Sequence, residues 1–227
     1  MSQFATIIAL TIPMTLFVTA EESAPPRANS APAASDSTLN NIDVRLSLNG
    51  GNEGITKRRN ETLGTEVTYE DDSSGGIAAH VLYLRARPGG VGFAVGGGLS
   101  AFTHEGKPEL TSGQATKIDT FSIDIYGAFV YRPTKQWHFE LPALVVSSGT
   151  ASVETEGRAE TDDGAYGRFA LQVGAYYTFD FGLQLGVDLG GAGFWASVDR
   201  DIAPNVTQEF IYTGSGGYIN LNAGFRF

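Results

Sequence analysis

Apolar and polar side chains alternate strictly at the end of the chain, and this two-residue period constrains the possible folds more than any other feature. The segment 217–227 reads GYINLNAGFRF, with apolar residues at odd positions from Ile219 onward and polar or small residues at even positions. Successive side chains of a β-strand point to opposite sides of the sheet, so the period predicts a strand with one apolar and one polar face.

The same period recurs in seven earlier segments, which predicts an all-β protein. The fourth segment shows it best, because Phe121, Ile123 and Ile125 alternate with Ser122 and Asp124. An even number of strands is typical of single-chain barrels that span a membrane. The eight predicted strands cover about 41–49, 76–86, 91–100, 118–131, 137–145, 166–179, 183–195 and 217–227.

The second strand leaves its facing open, because two apolar sets compete for the outer face. The odd set includes Ile77 and Val81, and the even set includes Leu82. We assign the odd set to the outside, since the even set would place His80 in hydrocarbon, where an ionisable side chain is costly.

The fifth strand contains a proline, which lacks the amide hydrogen that a strand ladder uses. Pro142 therefore predicts a bulge or weakened pairing at that point. The two-residue period places Ala143 and Val145 outside and Leu144 and Val146 inside the predicted barrel.

The connections between strands alternate in length. Those after the second, fourth and sixth strands are tight, whereas the other connections run to roughly a dozen residues or more. Membrane barrels with both termini on one side show this alternation, and a soluble sandwich has no reason to sort its loops so strictly. The sequence therefore predicts an eight-stranded antiparallel up-and-down transmembrane β-barrel over residues 41–227, with four long loops on one surface.

Composition excludes several other classes of protein. The formal net charge of -10 argues against binding nucleic acid, because phosphate contacts need clustered Lys and Arg. Cysteine is absent, so no disulfide supports the fold and a closed backbone ladder must do so. Past the N-terminus, no apolar run of about 18 residues predicts a membrane-spanning helix.

The first forty residues differ from the rest. Residues 1–20 have an apolar core and small residues before Glu21, which predicts a secretory signal peptide, although the usual initial Lys or Arg is missing. A permanent transmembrane anchor is the alternative. Residues 21–40 are rich in Ala, Pro and Ser, which predicts a flexible periplasmic segment.

A terminal aromatic after an alternating strand resembles the closing strand of bacterial outer-membrane barrels. From about Asn41 to Phe227 the chain resembles the small eight-stranded barrels of the OmpA/OmpX-like or OmpW-like type. The resemblance implies a place in the cell outer membrane, periplasmic termini, contact with outer-membrane lipid and lipopolysaccharide, and a monomer. It also implies that the barrel-insertion machinery reads Phe225 and Phe227.

The polar faces of the strands are predicted to line the barrel interior, or lumen. Eight strands enclose a space that side chains can just fill. The inward set holds four carboxylates against three guanidinium groups, and buried charges are tolerated only when paired. We predict a cross-linked polar network, with a narrow gated or small-solute pathway as the alternative. The predicted network comprises Asp43, Arg45, Asp124, Tyr126, His138, Glu140, Arg168, Gln172, Asp188 and Arg226.

Aromatic residues cluster near the ends of the predicted strands. Amphipathic rings settle at membrane interfaces, so these positions predict an aromatic girdle. Ordinary packing inside a soluble sheet is the alternative. The girdle comprises Phe93, Tyr131, Trp137, Phe139, Phe179 and Trp195.

Catalysis has little support in the residues. Some eight-stranded outer-membrane barrels modify lipid A, and a deacylase of that kind needs a serine bonded to a histidine that a carboxylate orients. His138 lies by a tight turn, about 25 Å or more from Ser147 at about 3.3 Å per residue. We therefore predict a non-enzymatic protein with no catalytic residue, and a lipid A-modifying enzyme is a remote alternative.

Charged loops offer no spaced ligand pattern for a metal. The stretches 70–72 and 154–163 are acidic, but neither matches a calcium-binding loop. We predict no metal and no cofactor. The basic run 57–59 could touch lipid phosphates or balance Glu53, Glu61 and Glu66.

Two functional hypotheses remain for a barrel of this kind. The first is a filled barrel that serves envelope integrity, surface interaction or adhesion, with an extracellular ligand as a possible partner. The second is a narrow channel or transporter of small hydrophobic solutes, for which Leu144 and Val146 are the only hints. A soluble lipocalin-like binder is a third class, which detergent-free extraction would separate from the others.

Overall fold

The computed structural model describes residues 40–108, 115–155, 164–203 and 206–227. The described residues contain no helix long and apolar enough to cross a membrane. The strands in this part of the chain are β1 Asn40–Gly51, β2 Lys57–Asn60, β3 Thr65–Arg85, β4 Gly90–Pro108, β5 Thr116–Arg132, β6 Trp137–Thr155, β7 Gly164–Thr178, β8 Leu183–Ala203 and β9 Val206–Arg226. The predicted signal peptide, 1–20, and nearly all of the predicted segment 21–40 lie outside the described residues.

Eight long strands close into a ring. From β3 to β9 each strand pairs antiparallel with its neighbour in the chain, β1 pairs with β3, and β9 returns to pair with β1 from Asp43–Arg226 to Gly51–Tyr218. The short strand β2 pairs with β3 and β9 beyond the end of β1. It therefore occupies the same place between β3 and β9 in the barrel wall as β1 does. The predicted antiparallel eight-stranded barrel is confirmed.

The barrel has an apolar outside and a polar inside. On β5, Ile123 and Ile125 are 64% and 69% exposed, whereas Asp124 between them is 2% exposed. The facing assigned to the second predicted strand is correct, because Ile77 and Val81 of β3 point outward. A water-soluble barrel would hide these apolar side chains, whereas a lipid-facing wall must present them.

Several strands are longer than the alternation predicts. The strands β3, β8 and β9 each have 21 residues, although about 9–11 residues cross a bilayer. Much of the sequence assigned to long loops is therefore strand, and β8 and β9 are separated only by residues 204–205. The prediction failed there because the outward face of a strand beyond the lipid needs no apolar side chains, and apolar residues such as Ala196 and Val198 point inward instead.

The bulge predicted at Pro142 is present and reverses the facing of the rest of β6. Leu141 and Pro142 stand opposite single residues of both β5 and β7. The additional residue turns Ala143 and Val145 inward, and both are buried. The predicted facing of this segment was therefore wrong, since a bulge shifts the two-residue period by one.

Four-residue connections join the strands at one end of the barrel. They are residues 86–89, 133–136 and 179–182, and two of them contain a glycine at positive φ, Gly89 at 76° and Gly182 at 95°. Most other residues avoid this conformation, so glycine permits these tight turns. All three turns lie where the sequence predicts short connections.

Candidate functional site: the polar lumen

All ten residues predicted to form the lumen network point inward and are buried. None has a side chain more than 9% exposed. They lie on six strands, so they connect opposite walls as well as neighbours. Asp43 and Arg45 belong to β1, Asp124 and Tyr126 to β5, His138 and Glu140 to β6, Arg168 and Gln172 to β7, Asp188 to β8 and Arg226 to β9.

Arg45 is the centre of the network near the tight turns. Its Nη2 donates to Glu140 at 2.7 Å and to Asp43 at 3.2 Å, and its Nε donates to Gln184 at 3.0 Å. The guanidinium also lies 4.1 Å from the centre of the Tyr176 ring. One cation thus neutralises two carboxylates and links β1 to β6 and β8.

Arg226 completes this cluster from the last strand. Its Nε and Nη2 both donate to Asp43 at 2.8 Å, and its Nη2 lies 3.1 Å from Nδ1 of His138. The His138 ring stacks on Tyr176 with centres 4.7 Å apart. Tyr126 donates to Glu140 from β5. The cluster therefore ties the first strand of the barrel to the last.

Asp188 is held by neutral donors in the middle of the lumen. Its carboxylate accepts hydrogen bonds from Tyr176 at 2.5 Å, Asn222 at 2.9 Å and Gln172 at 3.1 Å. Tyr218 in turn donates to Gln172 at 2.8 Å. Hydrogen bonds to a carboxylate compensate part of the cost of removing it from water.

Asp124 connects a histidine and a serine without forming a catalytic relay. Its carboxylate lies 3.0 Å from Nε2 of His80 and accepts from Ser100 at 2.9 Å. A nucleophilic serine must instead bond to the histidine that removes its proton. His80, Asp124 and Ser100 are therefore arranged as a structural contact between strands.

The sequence reasoning missed a buried ion pair in the outer half of the lumen. Nε and Nη2 of Arg168 donate to the two carboxylate oxygens of Glu53 at 2.5 and 2.8 Å. Glu53 is fully buried, although it was assigned to a solvated loop. Arg168 also lies over Phe102, 4.6 Å from the ring centre.

Glu53 reaches Arg168 because residues 52–56, between β1 and β2, fold into the barrel. We call these residues the inward segment. His104 contacts the Glu53 carbonyl at 2.7 Å, and the Ile55 amide donates to Glu105 at 3.1 Å. A Cβ on Gly214 would come within 1.9 Å of the Gly54 carbonyl oxygen, so the close approach requires glycine. The glycines at positions 54 and 214 are the sequence signal that could have indicated this close approach.

Apolar side chains fill the lumen around the inward segment. Ile55 is fully buried in a cluster with residues of β3, β5, β6, β7, β8 and β9. An internal cavity of about 30 Å³ lies between this layer and Arg45, which is room for at least one water molecule. The apolar layer is formed by Ile55, Tyr69, Ile118, Ala151, Val153, Tyr166, Phe194, Ala196, Val198 and Tyr212.

The basic run of β2 does not behave as one unit. Lys57 pairs with Glu66 at 3.0 Å and Arg59 with Glu61 at 2.9 Å, both on the surface. The prediction that the basic run balances nearby acids is therefore correct for Glu61 and Glu66 and wrong for Glu53, which pairs with Arg168. On β5, beyond the apolar band, the hydrogen bond to Asp119 raises the pKa of Lys117.

Metal ligands do not cluster in the described part of the chain. No group of three or more His, Cys, Asp or Glu side chains there could hold an ion. Residues 156–163 of the predicted acidic loop lie outside the described residues, while Glu154 lies in β6.

Aromatic rings form a band around the outside of the barrel near the tight turns. Trp137 contacts Phe139 at 6.1 Å and Tyr177 at 5.1 Å between ring centres, and Tyr131 lies 6.5 Å from Phe139. The same band includes Phe93, Phe179, Phe225 and Phe227, and also Tyr83, Tyr177 and Phe181, which the prediction omitted. Trp195 lies farther along β8 and covers Gly167 of β7. The role of Phe225 and Phe227 in insertion stays a prediction.

The outside of the wall also carries an apolar groove of about 310 Å³. Its floor is made by small residues, Ala79 and Ala101, between larger apolar side chains of β1, β3, β4 and β5. These larger side chains are Leu46, Leu48, Ile77, Leu99 and Phe121.

Comparison with known proteins gives structural likenesses only. No protein-family model matches the chain, and no curated protein matches it either. The outer-membrane protein OprG from Pseudomonas aeruginosa is 9% identical, over 83% of this chain and 96% of its own, with a TM-score of 0.45. AlkL in DMPC bilayers is 19% identical, over 92% and 97%, with a TM-score of 0.45. The outer-membrane protease OmpT from Escherichia coli is 12% identical, over 83% and 96%, with a TM-score of 0.39.

The class of this protein rests on its own geometry. A closed ring leaves no unpaired strand edge, its outer wall is apolar, and its interior is polar and hydrogen-bonded. Only closed barrels and helices satisfy every backbone group in lipid. The chain is therefore a transmembrane β-barrel of the bacterial outer-membrane type, with eight wall positions.

Proposed function

We propose that this protein is a non-enzymatic outer-membrane barrel with a sealed lumen, serving envelope integrity. The observation that supports this most is the pair of buried clusters centred on Arg45 and on the Glu53–Arg168 ion pair. The first connects β1, β5, β6, β8 and β9, and the second connects the inward segment to the opposite wall. Together with the apolar layer around the inward segment, these clusters support a lumen without the continuous water-filled path of a porin.

Charge pairing within the lumen supports the same proposal, while Asp124 and Asp188 are held by His80 and by neutral donors. Asp43 and Glu140 are neutralised by Arg45 and Arg226, and Glu53 is neutralised by Arg168. A selective ion path would instead present unpaired charges of one sign along its length. The wall that continues beyond the lipid offers a surface for an extracellular ligand, which makes surface interaction or adhesion a related role.

Planar-bilayer recording tests the proposal. We expect the purified full-length protein to insert without producing a steady conductance, because the polar clusters and the apolar layer occlude the lumen. Protein-free detergent is the control. Insertion is verified separately by recovering the protein from the membrane fraction of vesicles prepared in the same way. A reproducible ion-selective current would overturn the sealed lumen.

A second candidate is a transporter of small hydrophobic solutes. The apolar groove on β1, β3, β4 and β5 favours it, because Ser47 and Ala78 border both this groove and the internal cavity. Leu144 and Val146, which the sequence placed inside the barrel, point to the outside and no longer favour this candidate. Uptake of an apolar dye into vesicles that contain the protein, above that of protein-free vesicles, would favour this candidate over the sealed barrel.

A further inference from the structure

Two adjacent tight turns carry a concentration of cations. Arg85 is the last residue of β3, Arg87 belongs to the turn between β3 and β4, Lys135 belongs to the turn between β5 and β6, and all three are exposed. The segments 85–90 and 132–137 contain no carboxylate. We call this surface the basic platform.

A buried arginine holds the two turns of the platform together. Arg132 donates through Nη1 to the Ala86 carbonyl at 3.1 Å and through Nη2 to the Lys135 carbonyl at 3.0 Å. The Gly89 amide donates to the Arg132 carbonyl at 2.7 Å. The backbone that carries the three exposed cations is therefore held in place by Arg132.

The platform lies directly beyond aromatic rings of the outer wall. Tyr83 and Phe93 are in contact at 6.2 Å between ring centres, and Arg85 follows Tyr83 on the same outward face. Aromatic rings on a barrel mark the level of the lipid headgroups. The cations therefore stand at the depth of the lipid phosphates.

The neighbouring turn at the same end has a different charge. The turn between β7 and β8 carries Asp180, which accepts a hydrogen bond from Gln136 of the platform's own turn at 3.4 Å. The positive charge is thus confined to the β3–β6 side, which makes a localised site rather than a uniformly basic rim.

We propose that the basic platform binds the phosphate of anionic glycerophospholipids. Arg and Lys near a membrane surface attract anionic headgroups, and guanidinium groups match phosphate oxygens geometrically. The assignment to glycerophospholipid rests on the proposed outer-membrane placement with periplasmic termini. In that orientation the tight turns face the leaflet opposite the lipopolysaccharide.

Native mass spectrometry of the detergent-purified full-length protein tests this inference. The probes are dioleoylphosphatidylglycerol, the zwitterionic dioleoylphosphatidylcholine, and inorganic phosphate alone. We expect preferential binding of phosphatidylglycerol, and a loss of about tenfold or more in its affinity in the variant Arg85→Gln, Arg87→Gln, Lys135→Gln. Inorganic phosphate at the same concentration should displace little of the lipid.

A matched variant removes three exposed cations from the other end of the barrel, Lys57→Gln, Arg59→Gln, Lys107→Gln. It should retain the wild-type affinity for phosphatidylglycerol. Equal binding by the platform variant and the wild type would overturn the inference, as would an equal loss in the matched variant. Complete displacement by inorganic phosphate would overturn the assignment to lipid. An ion current would overturn the sealed lumen without changing this lipid result.

Discussion

Replacing Arg45 with methionine should lower the free energy of unfolding by about 3–5 kcal/mol. Methionine keeps much of the side-chain volume but removes the cation that Glu140 and Asp43 share. Both carboxylates are fully buried, and Glu140 loses its cation while Asp43 keeps Arg226. An unpaired charge in such a site carries an uncompensated desolvation cost. Urea unfolding in lipid vesicles, followed by tryptophan fluorescence, measures the change.

Two further variants separate loss of charge pairing from a general effect of substitution. Arg59→Met breaks the exposed pair with Glu61 and should cost no more than about 1 kcal/mol. Adding Glu140→Gln to Arg45→Met should restore part of the lost stability, because the carboxylate that lost its cation is then neutral, while Asp43 remains paired with Arg226. Similar losses for Arg45→Met and Arg59→Met would contradict the account of the lumen network.

Replacing Ile125 with arginine should destabilise the inserted barrel by about 2–4 kcal/mol. Ile125 is 69% exposed and lies within the apolar band of β5, so the new cation would stand in hydrocarbon. If this face met water, the same substitution would change stability little. The measurement is the urea-dependent equilibrium between folded and unfolded protein in vesicles.

The matched control for this substitution is Thr150→Arg. Thr150 is exposed on β6 and pairs with Phe121, at the outer edge of the apolar band. A cation near the interface costs about 0–1 kcal/mol. Equal stabilities for the two variants would show that Ile125 does not contact lipid.

The alternation of apolar and polar residues was enough to predict the barrel wall wherever one face of a strand meets lipid and the other meets the lumen. Ile123, Asp124 and Ile125 show why, since lipid on one side and a filled lumen on the other select opposite chemistries. The prediction failed at two kinds of place. At Leu141 and Pro142 one additional residue reversed the period, and beyond Trp195 on β8 the outward face is no longer apolar while Ala196 and Val198 point inward.

The sequence predicts which residues line the lumen, but it does not predict which of them form ion pairs and hydrogen bonds with one another. The period identifies Asp43 and Arg45 as inward, but pairing of Arg45 with Glu140 depends on the diameter and register of the closed ring. Glu53 was missed because it lies in no alternating segment, and its position depends on residues 52–56 leaving the wall. Non-local contacts of this kind have no short-range signal beyond the small residue Gly54.

Site-directed spin labelling along β5 tests the central claim most directly. Labels are placed singly at positions 121–126, and their accessibility to oxygen and to a water-soluble nickel chelate is measured in vesicles. The account predicts that labels at Phe121, Ile123 and Ile125 meet oxygen dissolved in lipid, while those at Ser122, Asp124 and Tyr126 meet neither reagent. Nickel accessibility at the odd positions would contradict the membrane-spanning wall, and nickel accessibility at the even positions would contradict the sealed lumen.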